Sequence, residues 1–444
     1  MQDRKRNRPL PWALAICFLL TVLAAGCSRD KAAPSPAAPP PMAAASVSAV
    51  TPAPSASSVI RATASPVKPG NPAAATGSST STSLQDRLKN MTPEEKLGQL
   101  LIAGLDGTEA GGEARRLVTE THVGGFILYK PNMTDAGQTV TLLNLLKEFN
   151  RPSGIPLLLS VDQEGGKVSR LPVDIELPAN RDLAAGGTPE RARALGKAVG
   201  QELKAFGFNL DYAPVLDINS NPANPVIGPR SYGSDAKTVK LYGLAAMQGL
   251  RESGVIPVVK HFPGHGDTST DSHLELPVVN KSLAELEKLE LQPFRAATEA
   301  GAEAVMAAHI LLPRLDPDYP ATLSPAIITG LLREKIGYSG VVITDDMTMG
   351  AIAKHYPLKD AAVRAVLAGC DLVLVAHGYS QVQEAAQGLK EALADGRLTW
   401  ARVDESVARV LALKASRQLA DTPVAASPDI GALRAAVKQA LAVP

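Results

Sequence analysis

Val255-Ile256-Pro257-Val258-Val259-Lys260-His261-Phe262-Pro263-Gly264-His265-Gly266-Asp267-Thr268-Ser269-Thr270-Asp271-Ser272-His273 is an apolar run that passes directly into one lysine, three histidines and two aspartates. Pro263, Gly264 and Gly266 forbid a regular helix or strand beyond Phe262, so the polar residues are expected on an irregular loop. A buried strand followed by a loop dense in titratable groups is where α/β folds concentrate chemistry. The plainer reading is a solvated loop with helix-capping side chains, but such loops seldom gather three histidines.

Seven further apolar runs share the strand length of this one. They are Leu100–Ala103, Gly125–Tyr129, Leu157–Val161, Leu210–Leu216, Ala304–Ala308, Val341–Thr344 and Leu372–Val375. Helix starts lie among them: the capping box Thr92-Pro93-Glu94-Glu95, Thr188-Pro189-Glu190, the box Ser282-Leu283-Ala284-Glu285, and Ser324-Pro325. Continuous rather than alternating apolar strands, separated by helices, indicate a parallel sheet covered on its outer face. Eight such units predict an α/β fold of the (β/α)8 TIM-barrel type over residues 84–420. No Gly-x-Gly-x-x-Gly turn follows the first run, which disfavours an open dinucleotide-binding sheet. A helix over Asp404–Ala415 is expected to close the barrel, and residues 421–444 form a tail with one helix, Ile430–Leu441.

Polar residues recur where these strands end: Asp162, Asp217, Lys260 with His261, His309, Asp345 with Asp346, and His377. A barrel brings all such ends to one face, so residues distant in sequence share one pocket.

The chain has 444 residues, 45% of them hydrophobic, and a formal net charge of +1. Without a basic excess it is not expected to bind nucleic acid, and with 4% aromatics it offers no stacking platform for single strands. Arg4, Lys5, Arg6 and Arg8 precede an apolar run, Trp12 to Ala25, too short for a comfortable membrane span. The run ends in Leu23-Ala24-Ala25-Gly26-Cys27, which resembles a bacterial lipoprotein signal, although Ala24 stands where leucine is usual. Residues 1–26 are therefore expected to be removed and Cys27 to carry lipid. The alternatives, an ordinary secretory signal or an uncleaved anchor, also put the domain outside the cytoplasm. Residues 27–83, rich in Ala, Pro, Ser and Thr, cannot bury enough surface to order themselves and read as a disordered tether. Of three cysteines, Cys17 leaves with the signal and Cys27 is acylated, so Cys370 stands alone as a small buried hydrophobe.

The chemistry follows from two places. In Asp271-Ser272-His273 a carboxylate two residues before an imidazole can accept its N–H, fix its tautomer and favour its protonated form, which suits a general acid/base. Asp345 ends the strand Gly340–Thr344; at the pocket floor, with Lys260 across from it, it would stay ionised and could attack an electrophilic carbon. Asp346 points to the other side of the strand. An ionised nucleophile with a separate proton donor is the minimal set for retaining glycoside hydrolysis. Asp162 can grip adjacent hydroxyls, with Arg170, Arg230, Lys260 and His261 as donors around it. Glu164 is open between a structural and a ligand-contacting role. A metal site built from His261, His265, Asp267, Asp271 and His273 is the competing enzyme class, but no tight ligand spacing supports it. A sugar-capturing protein without turnover would be expected to lack Asp345 or His273.

Four segments carry a resemblance: Val161-Asp162-Gln163-Glu164-Gly165-Gly166, Ile227-Gly228-Pro229-Arg230-Ser231-Tyr232, Lys260 to His273, and Ile343-Thr344-Asp345-Asp346-Met347. Together they resemble glycoside hydrolase family 3, and within it the bacterial β-N-acetylhexosaminidases that recycle or trim cell wall, over about Leu84 to Ala415. The resemblance implies Asp345 as nucleophile, His273 as acid/base and Asp271 as its partner. It puts Asp162, Arg170, Arg230, Lys260 and His261 on sugar-binding positions. It implies an exo-acting enzyme for terminal β-linked N-acetylglucosamine, with no cofactor and no metal; a monomer is expected. Many family members carry a second α/β sandwich domain, for which this sequence has no room. The lipoprotein-like start departs from the cytoplasmic recycling enzymes and points to wall fragments outside the cell. Glucoside hydrolysis and phosphorolysis use the same residues and stay open.

Overall fold

The computed structural model describes residues 77–444, with side chains from residue 84 onward. The expected signal, Cys27 and nearly all of the tether lie outside the described residues. Eight short parallel strands form the centre: β1 (Leu101–Gly104), β2 (Gly125–Ile127), β3 (Leu158–Val161), β4 (Leu210–Asp211), β5 (Ile256–Phe262), β6 (Ala304–Ala307), β7 (Val341–Thr344) and β8 (Val373–Val375). Each pairs with its sequence neighbour, and β1 also pairs with β8 through Leu101–Val373, Ile102–Leu374 and Ala103–Val375. The ring closes between β7 and β8 at the Ile343–Leu372 bridge, where the Thr344 amide donates to the Leu372 carbonyl at 2.9 Å.

Both faces of these strands are apolar because both are covered. Ile102, Ile127, Leu158, Ile256, Val258, Met306, Ile343 and Leu374 fill the barrel, while Ala103, Phe126, Leu159, Val259, Val305, Val342 and Val375 pack outward against the helices. The helix Trp400–Ser416, capped by Thr399, supplies Val410 and Leu413 to the interior cluster. Its Lys414 ammonium donates to Gly124 O at 2.9 Å and Gln99 Oε1 at 2.7 Å, which places this plug at the N-terminal end of the strands. The opposite end is left for the loops. The segment beyond residue 420 lies against the barrel: Asp421 accepts from Asn150 Nδ2 and the Leu157 amide, and Val437 and Ala440 of the helix Ile430–Leu441 are buried. Among the described residues no helix is long and apolar enough to cross a membrane.

Two strands differ from expectation by three residues or more at one end. Regular pairing of β4 stops at Asp211 and resumes only as a bridge, Val215 to Lys260, because Pro214 has no N–H to give. In contrast, β5 runs on to Phe262, which pairs with Ala307 after a register slip. Lys260 and His261 therefore sit on a strand, not on the loop.

Candidate active site

The strand ends open onto a cavity of about 820 Å³, within the usual range for small-molecule sites of roughly 300–1,000 Å³. It is bordered by all eight singled-out residues: Asp162, Arg170, Arg230, Lys260, His261, Asp271, His273 and Asp345.

Asp345 follows directly on β7, its amide donating to Ala307 O at 2.9 Å. Its Oδ1 accepts the Asp346 amide at 2.8 Å, which leaves Oδ2 free to face a ligand. Burial works against its charge, but the rings of His309 and His261, the Asp346 amide and the Lys260 ammonium outweigh it and hold the carboxyl below its ordinary value. Lys260 is thus the smallest of these influences, not the leading one expected from sequence. Asp346 also borders the cavity, yet it is committed to the protein: it accepts from the amides of Thr348 at 2.9 Å and Ala376 at 3.0 Å and from the Thr348 hydroxyl at 2.6 Å. His309 lies buried beneath, between Thr322 Oγ1 (2.9 Å) and Asp346 O (3.0 Å), and burial pushes its ring toward the neutral form.

The polar wall facing Asp345 is a network centred on Glu164. Its side chain is 1% exposed and takes Lys260 Nζ at 2.6 Å and the Arg230 guanidinium at 2.8 and 2.7 Å. Lys260 Nζ also reaches Asp162 Oδ1 at 2.5 Å. Burial alone would raise the Glu164 carboxyl; the charges of Arg230 and Lys260 and their hydrogen bonds overcome it and hold it far below the carboxylate range. Glu164 is therefore a buried anion that aligns two cations, and it also borders the cavity. Gly165 and Gly166, with φ of +97° and +56°, make the tight bend that points Glu164 inward, and the Gly166 amide donates to Leu177 O at 3.0 Å. Asp162 keeps Oδ2 for a ligand. The buried Nε of Arg170 has no hydrogen-bond partner among the described residues. Arg170 also borders the cavity.

Behind His261 stands Asp217, fully buried. It accepts from His261 Nδ1 at 2.6 Å and from the His265 amide at 2.6 Å. Burial would raise this carboxyl, but His261 and His265 bring it below its ordinary value. With Nδ1 engaged by the carboxylate, Nε2 of His261 is the nitrogen left for the cavity, 3.4 Å from an Arg230 nitrogen. In the sequence Asp217 is legible only as the end of a strand.

The loop after β5 carries Asp271 and His273. Asp271 Oδ1 accepts from the His273 amide at 2.9 Å and lies 2.8 Å from His273 Nδ1, so Nε2 is the nitrogen free to exchange protons. The His273 side chain is 63% exposed and borders the cavity. The other polar residues of the loop serve its shape. His265 is wedged between Thr268 Oγ1 (2.8 Å) and Ser272 Oγ (3.0 Å), and burial, with nearby His261, lowers its ring to about 4. Asp267 pairs with Lys281 at 3.0 Å and accepts from the Ser220 hydroxyl. Among the described residues no three His, Cys, Asp or Glu side chains gather as a ligand set.

The arrangement offers an ionised carboxylate at the floor, a carboxylate-oriented imidazole at the rim, and a wall of aligned donors and acceptors suited to a polyol. Comparison with known proteins agrees. Residues 92–413 match the glycosyl hydrolase family 3 N terminal domain. The beta-hexosaminidase LpqI of Mycobacterium tuberculosis (strain ATCC 25618 / H37Rv) is 37% identical over 332 residues, 73% of this chain and 83% of that protein. The solved glycoside hydrolase family 3 beta-N-acetylglucosaminidase from Paenibacillus sp. str. FPU-7 is 43% identical with a TM-score of 0.73, over 79% of this chain and 69% of that one. The beta-glucoside phosphorylase BglX is 27% identical with a TM-score of 0.73, over 82% of this chain and 66% of that one. A nearly closed eight-stranded parallel barrel, a carboxylate pocket at its mouth and a family match over most of the folded chain lead to one assignment: the chain belongs to glycosyl hydrolase family 3 and is a glycoside hydrolase similar to its beta-hexosaminidases.

Proposed function

We propose that the protein is a retaining exo-β-N-acetylglucosaminidase that removes terminal β-linked N-acetylglucosamine from peptidoglycan fragments. The observation that carries this reading is that a single cavity borders both Asp345, held ionised, and the Asp271–His273 pair. Asp345 Oδ2 attacks the anomeric carbon as the glycosidic C–O bond breaks, and His273 gives its proton to the departing oxygen. Water then displaces the carboxylate, its proton passing to the same imidazole, and the sugar leaves with its original configuration. Asp162, Arg170, Arg230, Lys260 and His261 hold the ring hydroxyls. The choice of N-acetylglucosamine is supported by the names of the similar proteins. Lipid on Cys27 and the tether through residue 83 would hold the enzyme at the membrane on the extracytoplasmic side, within reach of wall fragments.

The test compares p-nitrophenyl N-acetyl-β-glucosaminide with the glucoside, the galactosaminide and a muropeptide disaccharide. The glucosaminide and the disaccharide should be preferred, and Asp345→Ala should lower turnover by orders of magnitude. Preference for the glucoside, or near-wild-type hydrolysis by Asp345→Ala, would overturn the reading. The likeness to a phosphorylase gives a second reading, transfer to phosphate in place of water. It predicts a sugar 1-phosphate when phosphate is present, and product analysis with and without phosphate decides between the two.

A further inference from the structure

The loop that bears His273 is held at its base by the segment that follows the nucleophile. Ser272 is buried, with its hydroxyl 3.0 Å from His265 Nε2. Its carbonyl accepts the Ala351 amide at 3.1 Å, and the His273 carbonyl accepts the Gly350 amide at 3.2 Å. Both amides belong to the short helix Gly350–Ala353. The Met349 amide before it donates to Asp346 O at 3.0 Å, the same carbonyl that His309 holds from below. A continuous run of bonds thus joins the residue beside Asp345 to the backbone of His273. Lys354 extends the seat by pairing with Glu275.

Gly350 is the point of closest approach. A Cβ built on it would stand 2.7 Å from His273 O and 2.7 Å from Leu274 O. Both atoms are backbone, so neither can swing aside, and the loop would have to lift. The backbone of Gly350 is helical, a conformation any residue adopts, and intrinsic preference at a helical position favours alanine over glycine. Contact with the loop, not local conformation, is what calls for glycine here.

We propose that Gly350 is a positioning residue for His273. By letting two loop carbonyls seat on the helix that follows the nucleophile, it sets how far the proton donor stands from Asp345. The inference rests on the acid/base reading of His273, and the experiment separates the two. Wild type, His273→Ala and Gly350→Ala are compared by kcat/KM on 2,4-dinitrophenyl N-acetyl-β-glucosaminide, whose leaving group departs without a proton, and on N,N′-diacetylchitobiose, whose leaving sugar needs one.

General acid catalysis contributes about 10²–10⁴-fold, so His273→Ala should lose roughly that on chitobiose and little on the dinitrophenyl substrate. Gly350→Ala should show the same split at reduced size, about 10–100-fold on chitobiose with the dinitrophenyl rate nearly intact. Equal losses on both substrates, or none, in Gly350→Ala would overturn the positioning role when His273→Ala shows the split. Absence of the split in His273→Ala would refute the acid/base assignment and this inference with it. If Gly350→Ala does not fold, Ala351→Pro is read the same way. It removes the amide that Ser272 O accepts, the second of the two bonds that seat the loop.

Discussion

Replacing Glu164 by glutamine should destabilise the protein and loosen its grip on sugar at once. The substitution keeps the shape and removes the charge that two buried cations share. Lys260 Nζ at 2.6 Å and the Arg230 guanidinium at 2.7–2.8 Å would lose their shared anion, leaving Lys260 to Asp162 and Arg230 to the more distant charges of Asp217 and Asp162. A unit charge pair at about 4 Å is worth roughly 4 kcal/mol at an effective dielectric of 20, and leaving a buried charge without its partner costs about 3–5 kcal/mol. The expected loss of unfolding free energy is therefore about 3–5 kcal/mol, read by urea denaturation at pH 7. The sign with pH is fixed. The folded Glu164 carboxyl lies far below its unfolded value near 4.5, so its contribution is complete above that pH and fades as pH falls below it. The difference between wild type and Glu164→Gln should thus shrink in acid. Because Arg230 and Lys260 lose their alignment, kcat/KM should fall as well. Unchanged stability together with unchanged kcat/KM would refute the claim that Glu164 organises the wall.

Three further outcomes are expected. Asp217→Asn removes the acceptor that fixes His261 Nδ1–H; the hydrogen bond it disturbs is worth about 1–3 kcal/mol, so kcat/KM should drop about 10–100-fold in steady-state assays. Asp371 is fully buried and meets Arg333 (2.6 Å), Arg409 (3.0 Å), the Ser406 hydroxyl (2.7 Å) and the Val342 amide (3.0 Å) before the start of β8. Asp371→Asn should therefore cost about 3–5 kcal/mol in denaturation experiments, with kcat/KM at 25 °C unchanged because the cluster lies at the end remote from the cavity. Burial lowers the Lys414 ammonium to about 7, so between pH 7 and about 10 the unfolded chain binds the extra proton and this group adds stability as pH rises. Denaturation of wild type and Lys414→Met across that window should show wild type gaining on the variant by a few kcal/mol.

The barrel is legible in the sequence because strands covered on both faces leave continuous apolar runs, and all eight appear at their expected places. Their ends are less legible. Pro214 cuts β4 short, while Lys260 and His261 extend β5, since their backbones still pair although their side chains are polar. The residues bordering the cavity could be found because chemistry collects at the C-terminal ends of barrel strands. What supports them could not. Glu164 meets Arg230 across 66 residues and Asp217 meets His261 across 44, and such partners are set only when the ring closes. The seat of the His273 loop on Gly350 is hidden for the same reason, because a glycine in a helix carries no local mark of what rests on it.

The proposed function requires that Asp345 form a covalent bond to the sugar. A fluorinated N-acetylglucosaminide that reacts quickly and hydrolyses slowly should add the mass of one sugar residue to the protein, and peptide mass spectrometry should locate it on Asp345. No adduct during slow turnover, or an adduct on another residue, would rule out Asp345 as the nucleophile.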